Sequence, residues 1–315
     1  MTKRSHIKKY ASKKLWVCLL LTYLTYKICV LHYTLTEVNP EPVALIFYGS
    51  PRSLEWTIHS IQKQIINPLQ SEFRVDIYLH SYLHEEFYEN IRTREATIQL
   101  NNSEWKLLEP LKFEIERLSE AQIKLQELFN IVKRFGDAWN NGYDSLQRCL
   151  LADHSLQRAT RLVVESGIEY IGILIFRPDM LYIDPIDVDL FKSSIRKKSI
   201  VFPSWGSAGG FNDRFSFGDF EIMKLMGNRL AGFSAFCKIE NRSYHAEKYL
   251  KWLFGDEKGL NVLYKQLYGS YSNMDSTNIL CTSQRARRVR ANAHCKIEQF
   301  IPNLELCTNP SLKIN

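Results

Sequence analysis

Val43-Ala-Leu-Ile-Phe-Tyr48 is an unbroken apolar run, closed by Gly49-Ser50-Pro51-Arg52-Ser53. A strand with one solvated face alternates apolar and polar residues, so a continuous run predicts a strand covered on both faces, as in parallel sheets flanked by helices. Leu54, Ile58, Ile61 and Ile65 follow at helical spacing, and Val75–His80 reads as a second strand. Residues 82–95 are polar and read as helix or loop. A helix is predicted around Ala121–Val132 with Ser119 as its cap. Another spans 145–165, where Leu146, Cys149, Leu150, Leu156, Ala159 and Val163 share a face, Arg148, Asp153 and Arg158 lie off it, and Gly167 stops it. Tyr170–Phe176 is a third buried strand and Ile200–Phe202 a fourth. This alternation predicts an α/β fold with a mostly parallel central sheet flanked by helices. Ligands gather at the carboxyl ends of such strands, which singles out residues 49–53, 177–189 and 203–218.

Each of these segments carries candidate chemistry. Gly49 and its neighbours can present backbone N–H groups, and Arg52 a guanidinium, to a phosphate. In Arg177-Pro178-Asp179, Asp179 is the candidate ligand of a divalent cation bridging a diphosphate, with Arg177 on the phosphate itself. Asp187-Val188-Asp189 has the Asp-x-Asp form but lies beyond the strand end, and reads as a solvated loop. The stretch from Trp205 to Gly218 is rich in glycine, which permits close backbone approach. There Trp205 can face a sugar ring, while Asn212, Asp213 and Arg214 can grip hydroxyls. Glu247 reads equally as a general base and as a first-turn helix charge; Asp213 is the other candidate base. His80 reads as structural, and the basic run Arg285–Arg290 as a surface or an anion contact.

The net charge of +7 is located by the N-terminus. Residues 1–14 hold six basic residues, Lys27 is a seventh, and no acid occurs before Glu37, so the rest of the chain is formally neutral. That placement argues against a nucleic-acid partner. Leu15–Leu31 is apolar but for Lys27 and extends toward Leu35, close to the roughly 20 residues a membrane helix needs. Basic residues before this span and acids after it predict a cytoplasmic tail (1–14), a transmembrane signal anchor (15–35), a short stem (36–42) and a lumenal domain (43–315). That is a single-pass type II membrane protein of the Golgi or endoplasmic reticulum. Asn101-Asn-Ser103 and Asn241-Arg-Ser243 are glycosylation acceptor patterns on the lumenal side. Cys149 reads as a buried thiol, and Cys281, Cys295 and Cys307 as the candidate source of disulfides.

From Val43 to Phe254 these segments resemble a group of poorly characterised membrane-anchored glycosyltransferase-like proteins. The resemblance is carried by Ala44–Arg52, Tyr143–Arg148, Arg177-Pro-Asp179, Gly209–Phe215 with Gly218, and His245-Ala-Glu247. It implies a GT-A-like fold, a nucleotide-sugar donor, Mn²⁺ or Mg²⁺, and a glycan or glycoprotein acceptor. The family pattern places Tyr-Asp just before the third strand, where this chain has Tyr170-Ile171. Two alternatives stay open. A lumenal sulfotransferase shares the topology and the Gly49–Ser53 loop, although Glu55 sets negative charge against a phosphate there. A non-catalytic lumenal binding protein accounts for the missing acid.

Overall fold

The computed structural model describes residues 20–27, 40–255, 257–268 and 278–289. The chain divides into two units, Met1–Pro40 and Glu41–Asn315. In the first, residues 20–27 are helical. No helix among the described residues is long and apolar enough to cross a membrane. The expected cytoplasmic tail, and most of the expected anchor and stem, lie outside the described residues.

The second unit is an α/β domain. Its strands are β1 (Pro42–Tyr48), β2 (Arg74–Leu83), β3 (Tyr88–Asn90), β4 (Glu95–Ile98), β5 (Lys112–Arg117), β6 (Gly172–Phe176), β7 (Met180–Tyr182), β8 (Ser199–Pro203), β9 (Phe215–Asp219), β10 (Asn278–Thr282) and β11 (Ala286–Arg288). Its helices include α1 (Leu54–Ile61), α2 (Leu118–Val132), α3 (Asp144–Val164), α4 (Val188–Arg196), α5 (Phe220–Gly227), α6 (Phe233–Ile239), α7 (Ala246–Gly255) and α8 (Glu257–Tyr268). Seven strands form the central sheet in the order β10-β8-β9-β6-β1-β2-β5. All run parallel except β9, which lies antiparallel between β6 and β8. The mostly parallel sheet expected from the sequence is therefore present, with one reversed strand.

The β1 run is apolar throughout because both faces are covered. Val43, Leu45 and Phe47 join one buried cluster with α1, β7 and α4. Ala44, Ile46 and Tyr48 join another, with α3, α5, α6 and α7. Successive side chains of a strand point to opposite faces, so a single apolar strand serves two cores. The α3 helix fills the second core with Leu146, Leu150, Leu156 and Val163. Gly167 ends its exit turn at φ +70°, as its place in the sequence predicts.

Three local expectations change. Residues 82–95, read as helix or loop, hold β3 and the start of β4, paired antiparallel around a short 3-10 turn. Ser119 does not cap α2: β5 runs directly into the helix, Arg117 takes the N-cap position, and Ser119 falls inside the first turn. Asp153 does not face outward. It is almost fully buried, 2.6 Å from Arg229 and 3.2 Å from the Tyr244 hydroxyl. Helical periodicity places a residue on a face but does not reveal that the off-axis face is also covered, here by Arg229 and α6–α7.

The start of α1 is already occupied. The backbone N–H of Leu54 donates to Glu104 at 2.7 Å, and Ser53 makes no side-chain cap. A carboxylate at the positive end of a helix is favourable. Burial nonetheless raises Glu104 to about 7, with Glu55 adding to the effect against two backbone hydrogen bonds.

Two outcomes follow from these buried groups. Truncating one partner of a buried ion pair strands the other charge, so Asp153→Ala should lower unfolding free energy by about 3–5 kcal/mol in urea titration. For Glu104 the folded chain keeps a proton that the unfolded chain, with an ordinary value of 4.5, has released. Stability therefore falls as pH rises from 4.5 to 7, by up to about 3 kcal/mol at 1.36 kcal/mol per unit. Glu104→Gln should remove that fall and make the domain more stable than the native sequence above pH 7, read as urea midpoints across the range.

Candidate functional site

The carboxyl ends of β1, β2, β5 and β6 surround a cavity of about 940 Å³. Gly49, Arg52, Arg177 and Asp179, all candidates from the sequence, line it together, with Tyr48, His84, Arg148 and Arg288. Its floor is built around Asp179, whose carboxylate is almost completely buried. Three guanidinium groups converge on it. Arg177 donates to Oδ1 at 2.9 Å and Oδ2 at 3.0 Å, Arg52 to Oδ2 at 2.8 Å, and Arg288 to Oδ2 at 3.0 Å. Burial opposes the charge of Asp179, yet Arg177, Arg288 and Arg52 hold its carboxyl well below the usual carboxylate range.

Three chain segments bring these groups together. Arg52 comes from the β1–α1 loop, Arg177 and Asp179 from the β6–β7 turn, and Arg288 from β11. The last strand is pinned by antiparallel pairing with β7, with Arg288 opposite Met180. The Val289 N–H also donates to the Asp179 carbonyl at 2.9 Å. Arg52 is buried, shared with Glu95 at 3.3 Å, hydrogen bonded to the Tyr88 hydroxyl and set 5.2 Å from that ring's centroid. Arg148, paired with Asp144 at 2.9 Å, lies 5.3 Å from the same ring. His84 meets Ser50 Oγ at 2.6 Å. Burial, with Arg148 and Arg52 beside it, lowers its pKa to about 4, so the imidazole is neutral at neutral pH.

The backbone of the 49–53 loop is less available than the sequence implies. Gly49 sits at φ +88°, where a side chain would be strained, and its N–H is spent on Ser155 Oγ at 2.7 Å. Ser155 in turn meets His80 Nδ1 at 2.8 Å, and His80 Nε2 faces Glu116 at 3.4 Å. His80 is wholly buried, a structural histidine as expected. With Glu104 at the start of α1, the attraction for an anion here comes from arginine side chains.

A divalent cation does not fit Asp179 as it stands. Both carboxylate oxygens are engaged by guanidinium groups, and a metal ligand there would have to displace them. Among the described residues no group of three or more His, Cys, Asp or Glu side chains is placed to hold a metal ion. Asp187 and Asp189 are not the solvated loop expected from the sequence: Asp187 caps α4 by accepting from Leu190 N–H at 2.8 Å, and Asp189 lies in the first turn of that helix. Asp184, just before it, pairs with Arg285 at 2.7 Å.

Trp205, Asn212, Arg214 and Glu247 do not line this cavity. The first three build their own loop. Asn212 is completely buried, donates to the Trp205 carbonyl and accepts from the Arg214 backbone and guanidinium, each at 3.0 Å. The Arg214 guanidinium lies 5.5 Å from the Trp205 ring centroid, and the indole N–H donates to the Gln284 carbonyl at 2.8 Å. Gly210 lets this loop press on α7: a Cβ there would stand 1.7 Å from the Glu247 carbonyl, to which the Phe211 N–H donates at 2.9 Å. The Glu247 side chain is paired with His245 at 3.1 Å. Asp213 differs. It is half-buried, and its carboxylate makes no hydrogen bond or ion pair among the described residues. Its carbonyl accepts from the Tyr48 hydroxyl of the cavity wall at 3.4 Å, and its charge is felt by Arg177.

The departure at Ile171 lies away from all this. Ile171 precedes β6 at its amino end, with its N–H on the Pro42 carbonyl at 3.1 Å. Arg177 follows the opposite end of the same strand, roughly 20 Å along at about 3.3 Å per residue. Tyr170 finds a carboxylate in any case, donating to Asp76 at 2.9 Å. Asn101 and Asn241 are exposed. Cys149, Cys237 and Cys281 are free thiols, while Cys295 and Cys307 lie outside the described residues.

Arg288, Arg148, Tyr88 and His84 were not among the sequence candidates. Two of them left a signal: Arg288 as part of the basic run at 285–290, and Arg148 as the end of the Tyr143–Arg148 segment of the resemblance.

No family model matches the chain, and no curated protein matches it. Among solved structures it is similar to mouse xyloside xylosyltransferase 1 in its apo form, at 11% identity and a TM-score of 0.36, over 75% of this chain and 85% of that one. It is also similar to the apo form of the glycosyltransferase GlyE of Streptococcus pneumoniae TIGR4, at 12% identity and a TM-score of 0.32, over 75% of this chain and 46% of that one.

Proposed function

We propose that this protein is a type II membrane glycosyltransferase, anchored through residues 15–35 and facing the lumen of the Golgi or endoplasmic reticulum. It transfers a sugar from a nucleotide-sugar donor to a glycan or glycoprotein acceptor. The observation that carries this reading is the cavity at the carboxyl edge of the sheet with arginines gathered on its floor. A site of that kind suits a ligand with a diphosphate and a bulkier neutral part. The Arg-Pro-Asp and Asn-Asp-Arg-Phe segments of the sequence resemblance stand on this edge. Arg177 contacts the diphosphate from the open side of Asp179, and Arg52 sets the floor behind it.

Asp213 is the group best placed to withdraw a proton from an acceptor hydroxyl, since its carboxylate has no other engagement among the described residues. The loop that carries it, from Trp205 to Arg214, meets the cavity wall where the Asp213 carbonyl accepts from the Tyr48 hydroxyl. Glu247, tied to His245, is the second candidate base.

Purified full-length protein in detergent should hydrolyse or transfer from at least one UDP- or GDP-sugar. Asp213→Asn should lower kcat by about 10²–10⁴-fold with little change in donor KM, the range for loss of a general base. Stabilisation by adenosine 3′,5′-bisphosphate in place of UDP or GDP would redirect the assignment to a sulfotransferase. Folded protein that turns over no donor would leave a lumenal binding protein. Topology is checked in cells: with Asn101 and Asn241 both changed to Gln, the glycosidase-sensitive mobility shift of the native chain should vanish.

A further inference from the structure

We propose that the floor of this cavity is a metal-independent diphosphate clamp, in which Arg177 and Arg288 are the two arms and Asp179 is the positioning residue that holds them. This rests on the glycosyltransferase reading for the identity of the diphosphate, which belongs to a nucleoside diphosphate. It departs from that reading's usual companion, a divalent cation on Asp179.

The geometry separates the roles of the three arginines. Arg52 is buried and divided between Asp179 and Glu95, with Tyr88 against it, so it is committed to the protein. Arg177 and Arg288 keep 22% and 37% of their side chains exposed, on the cavity side. Arg177 spends two of its five N–H groups on Asp179, and Arg288 spends one. The remaining N–H groups have no partner among the described residues. Two guanidinium forks held by one carboxylate, with donors left over, form an arrangement suited to bidentate contacts with adjacent phosphates.

Charge points the same way. On the floor, three guanidinium groups face two carboxylates, Asp179 and Glu95, leaving an excess of positive charge. Of the four other carboxylates on the wall, Asp144 is paired with Arg148 and Glu85 with Arg117, while Glu86 and Glu89 are exposed, and none of the four forms an ion pair with Arg52, Arg177 or Arg288 among the described residues. Burial, with Arg52 and Arg177 nearby, lowers the pKa of Arg288 to about 10 in spite of Asp179, so a further anion would relieve that group. The same excess opposes a dication. A cation bridging a diphosphate neutralises charge and fixes orientation; here two fixed guanidinium groups supply both.

The probe is inorganic pyrophosphate, measured by calorimetry on the full chain in EDTA and again in MgCl₂ or MnCl₂. Binding should survive in EDTA. Arg288→Gln should weaken it by about tenfold or more, as expected for a lost charge-assisted contact. Arg288→Lys, which keeps the charge but not the fork, should fall between the two. Arg285→Gln just before the same strand, which removes the surface pair with Asp184, should bind as the native chain does. Asp179→Asn should weaken binding equally with and without metal.

Three results would overturn the clamp. They are pyrophosphate binding that appears only with the metal, an Arg288→Gln variant that binds unchanged, or an Arg285→Gln variant as weak as Arg288→Gln, which would make strand docking the cause. Pyrophosphate binding in EDTA without turnover of any sugar nucleotide would keep the clamp and remove glycosyl transfer.

Discussion

One carboxylate ties three distant parts of the chain to one point. Arg52, Arg177 and Arg288 reach Asp179 from the first loop of the domain, from the middle and from the last described strand. Burying a charge is costly unless it is paired and hydrogen bonded, and Asp179 is paired three times over. Its neighbours are then fixed in turn. The Pro178 carbonyl accepts from Thr57 of α1 at 2.5 Å, and the Asp179 carbonyl accepts from Val289. Removing the carboxylate would leave three guanidinium groups crowded together, so the site's shape and its electrostatics share a single dependency.

The sheet explains why that point lies where it does. Six parallel strands end on one edge, and the loops leaving β1, β2, β5 and β6 converge there. The reversed strand β9 has a different consequence. Because it enters the sheet from that same edge, the loop between β8 and β9 is held beside the cavity, bringing Asp213 near Tyr48 and Arg177. A parallel strand in that place would have begun at the far edge and carried Asp213 with it.

What the sequence made legible was set by periodicity and by polarity at strand ends. The β1 run, the α3 face and the strand at β6 are strong repeating signals, and the residues just after β1 and β6 could be named as candidates for that reason. Short strands lack such signals. Phe215–Asp219 alternates for only a few residues and contains a glycine, so it reads as loop. Lys112–Arg117 and Ala286–Arg288 are largely charged, and become strands only through partners distant in sequence. Arg288 could not be placed because its role depends on pairing with β7, more than 100 positions earlier. Asn212 and Trp205 were legible as unusual residues but not as partners of each other; loop glycines permit approach without saying toward what.

The choice between a cation and a pair of arginines can be argued from cost of organisation. A dication must be drawn from solution and held by carboxylates that repel one another until it arrives. Arg177 and Arg288 are oriented before any ligand binds, by a carboxylate already in place, so little reorganisation remains when a diphosphate enters. The limit of such a device is specificity: guanidinium forks recognise phosphate but not the base or the sugar attached to it. In the proposed complex those would be read by other parts of the wall, which includes Tyr48 and neutral His84. An uncharged imidazole there can hydrogen bond to a hydroxyl without competing with the floor for the phosphates, which is why burial and the neighbouring arginines that suppress its charge matter to how the ligand is divided between floor and wall.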